Sequence, residues 1–241
     1  MKQLIEDCCK KLRFSRTIAE LSEKIEADTH QEYLLKILQH EIENRDTKRK
    51  NRLLKQAGFY GIKTFKNYIF DDITIPSALT VEDIKNGNFI EDKRNLIFYG
   101  NVGTGKTHLA TAIGVEACTQ GKSVRFFRTA ALVNQLSESK KKGELNKFLK
   151  QLRKVDLIIC DEWGYVPLDR DGAQLLFQVI SDCYEQRSVI VTTNLEFSKW
   201  VNIFYDEQMT AAMIDRLVHH SHLLLFEGQS FRLKNSLMKT K

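Results

Sequence analysis

Between positions 100 and 107 the chain reads GNVGTGKT, which fits the pattern G-x-x-x-x-G-K-[ST]. The apolar, strand-like segment NLIFY precedes it and the helix-compatible segment HLATAIGVEA follows it. In that setting the glycines leave backbone amides free to wrap phosphate oxygens, and the helix dipole adds partial positive charge. Lys106 is placed to reach the outer phosphates and the Thr107 hydroxyl to ligate Mg²⁺. Gly100, Asn101, Val102, Gly103, Thr104, Gly105, Lys106, Thr107 and His108 are therefore the candidate nucleotide-binding residues. Outside a strand–turn–helix context the same letters would be an ordinary glycine turn.

The segment LIICDE, Leu157 to Glu162, delivers two acids at the end of an apolar strand, the edge at which open α/β sheets bind ligands. Asp161 suits the Mg²⁺ shell and Glu162 the polarisation of an attacking water, since phosphoryl transfer to water needs an oriented nucleophile more than covalent help. Asn194 closes another apolar strand, SVIVTT, where a neutral amide can orient the same water; by itself an asparagine there is turn chemistry. TAAMIDRLVHH reads as an amphipathic helix carrying Arg216, which would act as an arginine finger if a neighbouring subunit presented it to the γ-phosphate. Arg232, in QSFRLKN, is a second candidate to touch phosphate. His219, His220 and His222 lack a Cys or carboxylate at metal-ligand spacing and are not read as ligands.

These residues need a sheet to hold them together. From Asn95 onward strand-like and helix-like segments alternate, which predicts an α/β domain with a mainly parallel sheet. The strands are expected at 95–99, 123–127, 156–160, 188–193 and 222–226, with helices in the gaps.

Residues 1 to about 56 contain no glycine or proline and space Ile18, Leu21, Ile25, then Leu34, Ile37, Leu38 and Ile42 helically, predicting a small all-helical N-terminal domain at 1–57 before a second domain at 58–241. Thr17 with Glu20 and Thr29 with Glu32 are expected capping boxes. The last helix carries Arg45, Lys48, Arg49, Lys50, Arg52 and Lys55 against Asp46 alone, a run that reads on charge alone as a solvated helix face. With Lys140, Lys141, Lys142 and Lys147 it is also the candidate contact to DNA phosphates. Neither run has interleaved aromatics, so the expectation is duplex DNA held by its backbone with weak sequence preference.

Composition bounds the rest. In 241 residues, 42% hydrophobic and 28% charged with two prolines describe an ordered globular chain, and a net charge of +6 gains meaning only from where it sits. No apolar run approaches the roughly 20 residues that span a bilayer, and MKQLIEDCCKKLRF is too charged for a signal-peptide core. Five cysteines without a CxxC pair read as reduced thiols, so a cytoplasmic location without membrane contact is expected.

Together, GNVGTGKTHLA, LIICDEWGYVPLD, VIVTTNLEFSKW and AAMIDRLVHHSHLLLFEGQSFRLKNS resemble the IstB family of AAA+ ATPases, transposition helpers of bacterial insertion sequences related to DnaC-type helicase loaders. The similarity runs from about Gly58 to Ser236, and Trp163, Gly164 and Tyr165 after the two acids favour IstB within the wider superfamily. The resemblance implies an AAA+ core with strand order 5-1-4-3-2, ATP with Mg²⁺ as cofactors, and Asn194 as sensor 1. It also implies Arg216 as the trans-acting arginine and Arg232 in the region of sensor 2. The activity implied is ATP hydrolysis by a homo-oligomeric ring or spiral on target DNA that assists a transposase. A DnaC-like helicase loader is the alternative.

Overall fold

A computed structural model describes residues 1–204 and 206–234. Residues 235–241, the end of the expected second domain, lie outside them, with the last two residues of the family-like tract, Asn235 and Ser236. The chain divides into two compact units, Met1–Arg52 and Leu53–Lys241.

The first unit is helical: α1 (Lys2–Leu12), α2 (Thr17–Leu21) and most of α3 (His30–Ala57). At the start of α3 half of the expected box forms: Glu32 N–H donates to Thr29 Oγ1 at 3.1 Å, but the Glu32 carboxylate accepts from Asp28 N, one residue before the cap, at 3.1 Å. The box expected at Thr17 is absent. The Thr17 hydroxyl is instead 2.8 Å from Ser15 Oγ, and α2 has no side-chain cap. Glu41 ties the unit together, accepting from Ser15 N at 2.9 Å and from Arg45 Nε at 2.6 Å.

The second unit begins within α3, because Leu53, Leu54 and Ala57 turn into its core. This is why the division falls five residues before the glycine at which the helix stops. There follow β1 (Ile73–Thr74), α4 (Val81–Asn86), α5 (Asn88–Glu91), β2 (Asn95–Gly100), α6 (Lys106–Thr119), β3 (Val124–Arg128), α7 (Thr129–Lys141) and α8 (Leu145–Leu152). The remainder is β4 (Leu157–Trp163), α9 (Arg170–Cys183), β5 (Ser188–Thr193), α10 (Val201–Phe204), α11 (Glu207–Val218), β6 (Ser221–Phe226) and α12 (Phe231–Lys234).

The sheet order is β1-β6-β2-β5-β4-β3, parallel throughout except for β1. The five predicted strands take the expected order 5-1-4-3-2. The difference is β1, two residues paired antiparallel to β6, which shields one edge of the sheet. The central strands β2, β4 and β5 are apolar on both faces because both faces are covered. Along β4, Leu157 and Ile159 enter the core cluster with α6, while Ile158 and Cys160 enter the cluster with α7 and α9. Each such fully buried aliphatic contributes about 1.5–3 kcal/mol. The result is a rigid central sheet whose C-terminal edge carries the glycine loop and the acids. Among the described residues no helix is long and apolar enough to cross a membrane.

Candidate functional site

The glycine loop leaves β2 and turns into α6, whose first residue is Lys106. Gly103 and Gly105 hold φ of 82° and 97°, in the left-handed region that glycine adopts without penalty. A Cβ on Gly103 would collide with Ser230, and one on Gly105 would meet the Tyr68 hydroxyl at 3.0 Å, so the loop is fitted between two other segments of this unit. Lys106 Nζ donates to the carbonyls of Gly100 and Asn101, each at 2.7 Å. Burial is the largest influence on this ammonium and pulls its pKa down to about 8, against the opposing pull of Asp161; Arg232 lowers it further. The Thr104 hydroxyl braces the loop on Asn101 O at 2.8 Å. Val102 is exposed, and His108 Nε2 lies 3.1 Å from Thr64 O with its ring 5.1 Å from that of Tyr68.

Asp161 is 2% exposed, and its Oδ1 accepts from Thr107 Oγ1 at 2.9 Å and from Thr192 Oγ1 at 2.5 Å. The loop, β4 and β5 therefore converge on one carboxylate oxygen. Thr192 does more, because its oxygen also accepts from Glu162 N at 3.1 Å, which fixes its proton toward Asp161. On the other side Thr129 Oγ1 donates to Asp161 O at 2.9 Å.

Between Cys160 and Trp163 the register of β4 against β5 shifts, with three steps on β4 facing two on β5. The extra residue is a β-bulge, and within it Glu162 has φ of 58°, a conformation uncommon outside glycine and costing of order 1–3 kcal/mol. Its carboxylate pairs with Arg128 at the end of β3, Oε2 to Nε 3.4 Å, and Arg128 in turn lies 4.5 Å above the Tyr60 ring. Trp163 anchors the bulge from below: fully buried, its ring lies 5.4 Å from Trp200 and 5.9 Å from Phe204.

Asn194 follows β5 directly and is exposed; Thr193 is in register with Tyr99, so Asn194 stands beside the start of the glycine loop. Arg232 lies in α12, and the adjoining Phe231 N–H donates to Gly103 O at 2.9 Å, which sets this segment against the loop of the same chain. Arg216 is held elsewhere. Its guanidinium donates to Ser181 Oγ at 2.5 Å and covers the Phe177 ring at 4.5 Å, both on α9.

Sequence reasoning missed Arg128, Thr129 and Thr192. Each ends or follows a strand at the same sheet edge, and that position is the signal that was available. It also missed Glu185, which joins His219 and His220 in one cluster. That cluster is a hydrogen-bond network, since Arg94, which can only donate, lies 3.0 Å from His220 Nδ1 and leaves His220 Nε2 to donate to Glu185 at 2.9 Å. Both nitrogens of His220 are thereby used. Of the candidate DNA-contacting lysines, Lys140 pairs with Asp171 at 3.2 Å, Lys142 with Glu138 at 4.0 Å and Lys147 with Glu144 at 3.9 Å.

The arrangement can bind a polyphosphate on the loop, offer a hydroxyl and a carboxylate to a hard divalent cation, and present a second carboxylate to water. Comparison with known proteins agrees. The family described as IstB-like ATP binding protein matches residues 10–239. The ATP-binding protein of insertion sequence IS5376 from Geobacillus stearothermophilus is 34% identical over 244 residues, covering 99% of this chain and 97% of the relative. That of insertion sequence IS21 from Pseudomonas aeruginosa is 36% identical over 205 residues, covering 85% and 77%. Among solved structures, a DNA replication initiation factor matches with TM-score 0.56 at 24% identity, covering 68% of this chain and 49% of its own. AMPPCP-bound DnaA from Aquifex aeolicus matches with TM-score 0.56 at 22% identity, covering 74% and 56%. The chain spans about half the length of these two structures, and the likeness to them is one of fold. The chain belongs to the IstB-like ATP-binding protein family.

Proposed function

We propose that this IstB-family ATPase binds ATP on Gly100–His108, hydrolyses it with Asp161 and Glu162, and assembles with ATP into a ring or spiral on target DNA that assists the transposase of the same insertion sequence. The observation that carries the reading is the meeting of Thr107, Asp161 and Thr192 at one carboxylate oxygen, beside Lys106, at the sheet edge where such folds bind ligands.

Lys106 rests on neutral carbonyls, and a phosphate anion competes well with them because charge-assisted hydrogen bonds are roughly twice as strong. The Thr107 hydroxyl and Asp161 carboxylate are the hard oxygen donors that Mg²⁺ prefers, so these residues fit the ion. When bound, Mg²⁺ would neutralise charge on the phosphates. Thr192 holds Asp161 as an acceptor and fixes the backbone of Glu162. Glu162, released from Arg128, orients the attacking water with Asn194 beside it. Arg232 serves the phosphates of its own chain. Arg216, on α11, packs against α9 away from this site and serves the site of the next subunit.

Its relatives are proteins of insertion sequences, which favours the transposase over a helicase as partner. The basic run from Arg45 to Lys55 supports phosphate contacts on duplex DNA. Fluorescence anisotropy of full-length Glu162→Gln on labelled duplex tests this. Binding should require ATP, be cooperative, ignore sequence, and weaken with a log–log salt slope of about −0.9 per phosphate neutralised. Binding indifferent to ATP, or a clear preference for single strands, would contradict it.

A further inference from the structure

The Arg216 guanidinium has a seat within its own chain. Its Nη1 donates to Ser181 Oγ at 2.5 Å, and its Cζ lies 4.5 Å above the ring of Phe177, which itself packs on the core. The Ser181 hydroxyl gives its own proton to Phe177 O at 2.7 Å, so its oxygen is left to accept from the arginine. A charge-assisted hydrogen bond and a ring face together hold a side chain that otherwise samples many rotamers. Nε and Nη2 carry further donors, so a guanidinium can keep this seat and still bind a phosphate. The seat is registered by the helix ends. Phe177, Ser181 and Tyr184 follow at spacings of four and three along one face of α9, and Arg216 and His219 share a face of α11 at a spacing of three. Tyr184 and His219 are the residues at which the two helices stop, and they are joined: Tyr184 Oη lies 2.9 Å from His219 Nδ1, with the rings stacked 6.1 Å apart. The next residues repeat the contact, His220 Nε2 donating to Glu185 Oε1 at 2.9 Å. Glu185 has φ of 54°, a conformation that glycine adopts with less strain, yet the position keeps a carboxylate that takes this bond.

We propose that the end of α9 is a cradle that positions Arg216 for the nucleotide of the neighbouring subunit: Ser181 and Phe177 seat the guanidinium, and the Tyr184–His219 contact sets the register of α11 against α9. This rests on the reading of Arg216 as trans-acting and adds the residues that make it ready. An arginine on a loose stem must be ordered as the transition state forms, whereas a seated one has lost that freedom beforehand. Ser181 and Phe177 are thus positioning residues that act through Arg216. Their loss should slow the chemical step and leave ATP binding on the loop of the same chain untouched.

ATP hydrolysis on duplex DNA and equilibrium ATP binding by the full-length chain test it. Ser181→Ala should lower kcat about tenfold, as expected for a hydrogen bond to a charged group, with ATP affinity unchanged. Phe177→Leu should lower it about fivefold through loss of the ring face. Ser181→Thr, which keeps the hydroxyl, should restore most of the rate. Alanine is the stronger helix former, so α9 persists in Ser181→Ala, and thermal unfolding checks this. Mixing at constant total protein assigns the defect to one side of the interface. Ser181→Ala mixed with Glu162→Gln, which supplies an intact seat, should exceed Ser181→Ala alone, whereas mixed with Arg216→Ala it should fall below it. A readout apart from activity is the Arg216 Nε–H resonance of the nucleotide-free chain, assigned with Arg216→Lys, which should be ordered in the wild type and mobile in Ser181→Ala combined with Phe177→Leu. Normal turnover by Arg216→Ala would sink the trans reading and the proposal with it. A defective Arg216→Ala beside unchanged or raised kcat in both Ser181→Ala and Phe177→Leu, or a mobile Nε–H in the wild type, would overturn the cradle alone.

Discussion

Arg128 and Glu162 meet across neighbouring parallel strands, Nε 3.4 Å from Oε2, with the guanidinium laid over Tyr60. The acid proposed to orient water is therefore held by a cation one strand away, while Asp161, the residue before it, points to the glycine loop. An exposed pair of this kind is worth up to about 1 kcal/mol. Arg128→Ala should accordingly raise ATP turnover in the absence of DNA by up to about fivefold, with ATP affinity unchanged. Steady-state hydrolysis and equilibrium nucleotide binding check this; a fall in turnover would show instead that Arg128 supports the reaction.

Lys106 gives a pH dependence with a defined sign. Its ammonium has a pKa lowered to about 8, and phosphates favour the charged form. ATP affinity should thus fall as pH rises through about 8, by up to about tenfold per unit, and Lys106→Ala should lack binding at every pH. Folding responds oppositely. Between about 8 and the ordinary value of 10.5 the unfolded chain holds a proton that the folded chain has released, so this group's contribution to stability rises with pH across that window. Isothermal titration at pH 7, 8 and 9 in buffers of different ionisation enthalpy measures the first effect, and nucleotide-free denaturant unfolding measures the second.

Thr192→Val keeps the shape of the side chain and removes one hydroxyl. Asp161 then loses a donor and Glu162 N its acceptor, both in buried or half-buried surroundings, at a cost of about 1–3 kcal/mol. A lowered melting temperature together with a reduced kcat is expected. Restoration of both by Thr192→Ser would tie the loss to the hydroxyl, and an unchanged kcat would remove Thr192 from the site.

Much of this was legible in the sequence, for physical reasons. The central parallel strands β2, β4 and β5 announce themselves as apolar runs because they are covered on both faces, and the glycine loop because its φ values and crowding exclude side chains. β1 was not legible: two residues, Ile73 and Thr74, carry no period. Nor was the bulge at Asp161 and Glu162, because DE at a strand end looks the same with or without an extra residue. Arg128 and Thr192 become visible only once β3, β4 and β5 are laid side by side, since their partners are 34 and 31 positions distant. The capping box expected at Thr17 lost to a tertiary contact, Ser15 with Glu41, that local pattern cannot contain.

The central claim is that each site is completed by a neighbouring subunit. Glu162→Gln should bind ATP and not hydrolyse it, and Arg216→Ala should bind ATP normally and lose about 10³-fold or more in turnover. A mixed assembly holds some interfaces with Glu162 intact on one side and Arg216 intact on the other. ATP hydrolysis by a one-to-one mixture of the two variants, measured on duplex DNA under conditions of subunit exchange, is therefore the direct test: the account predicts activity well above either variant alone, and a mixture as inactive as its components would contradict it.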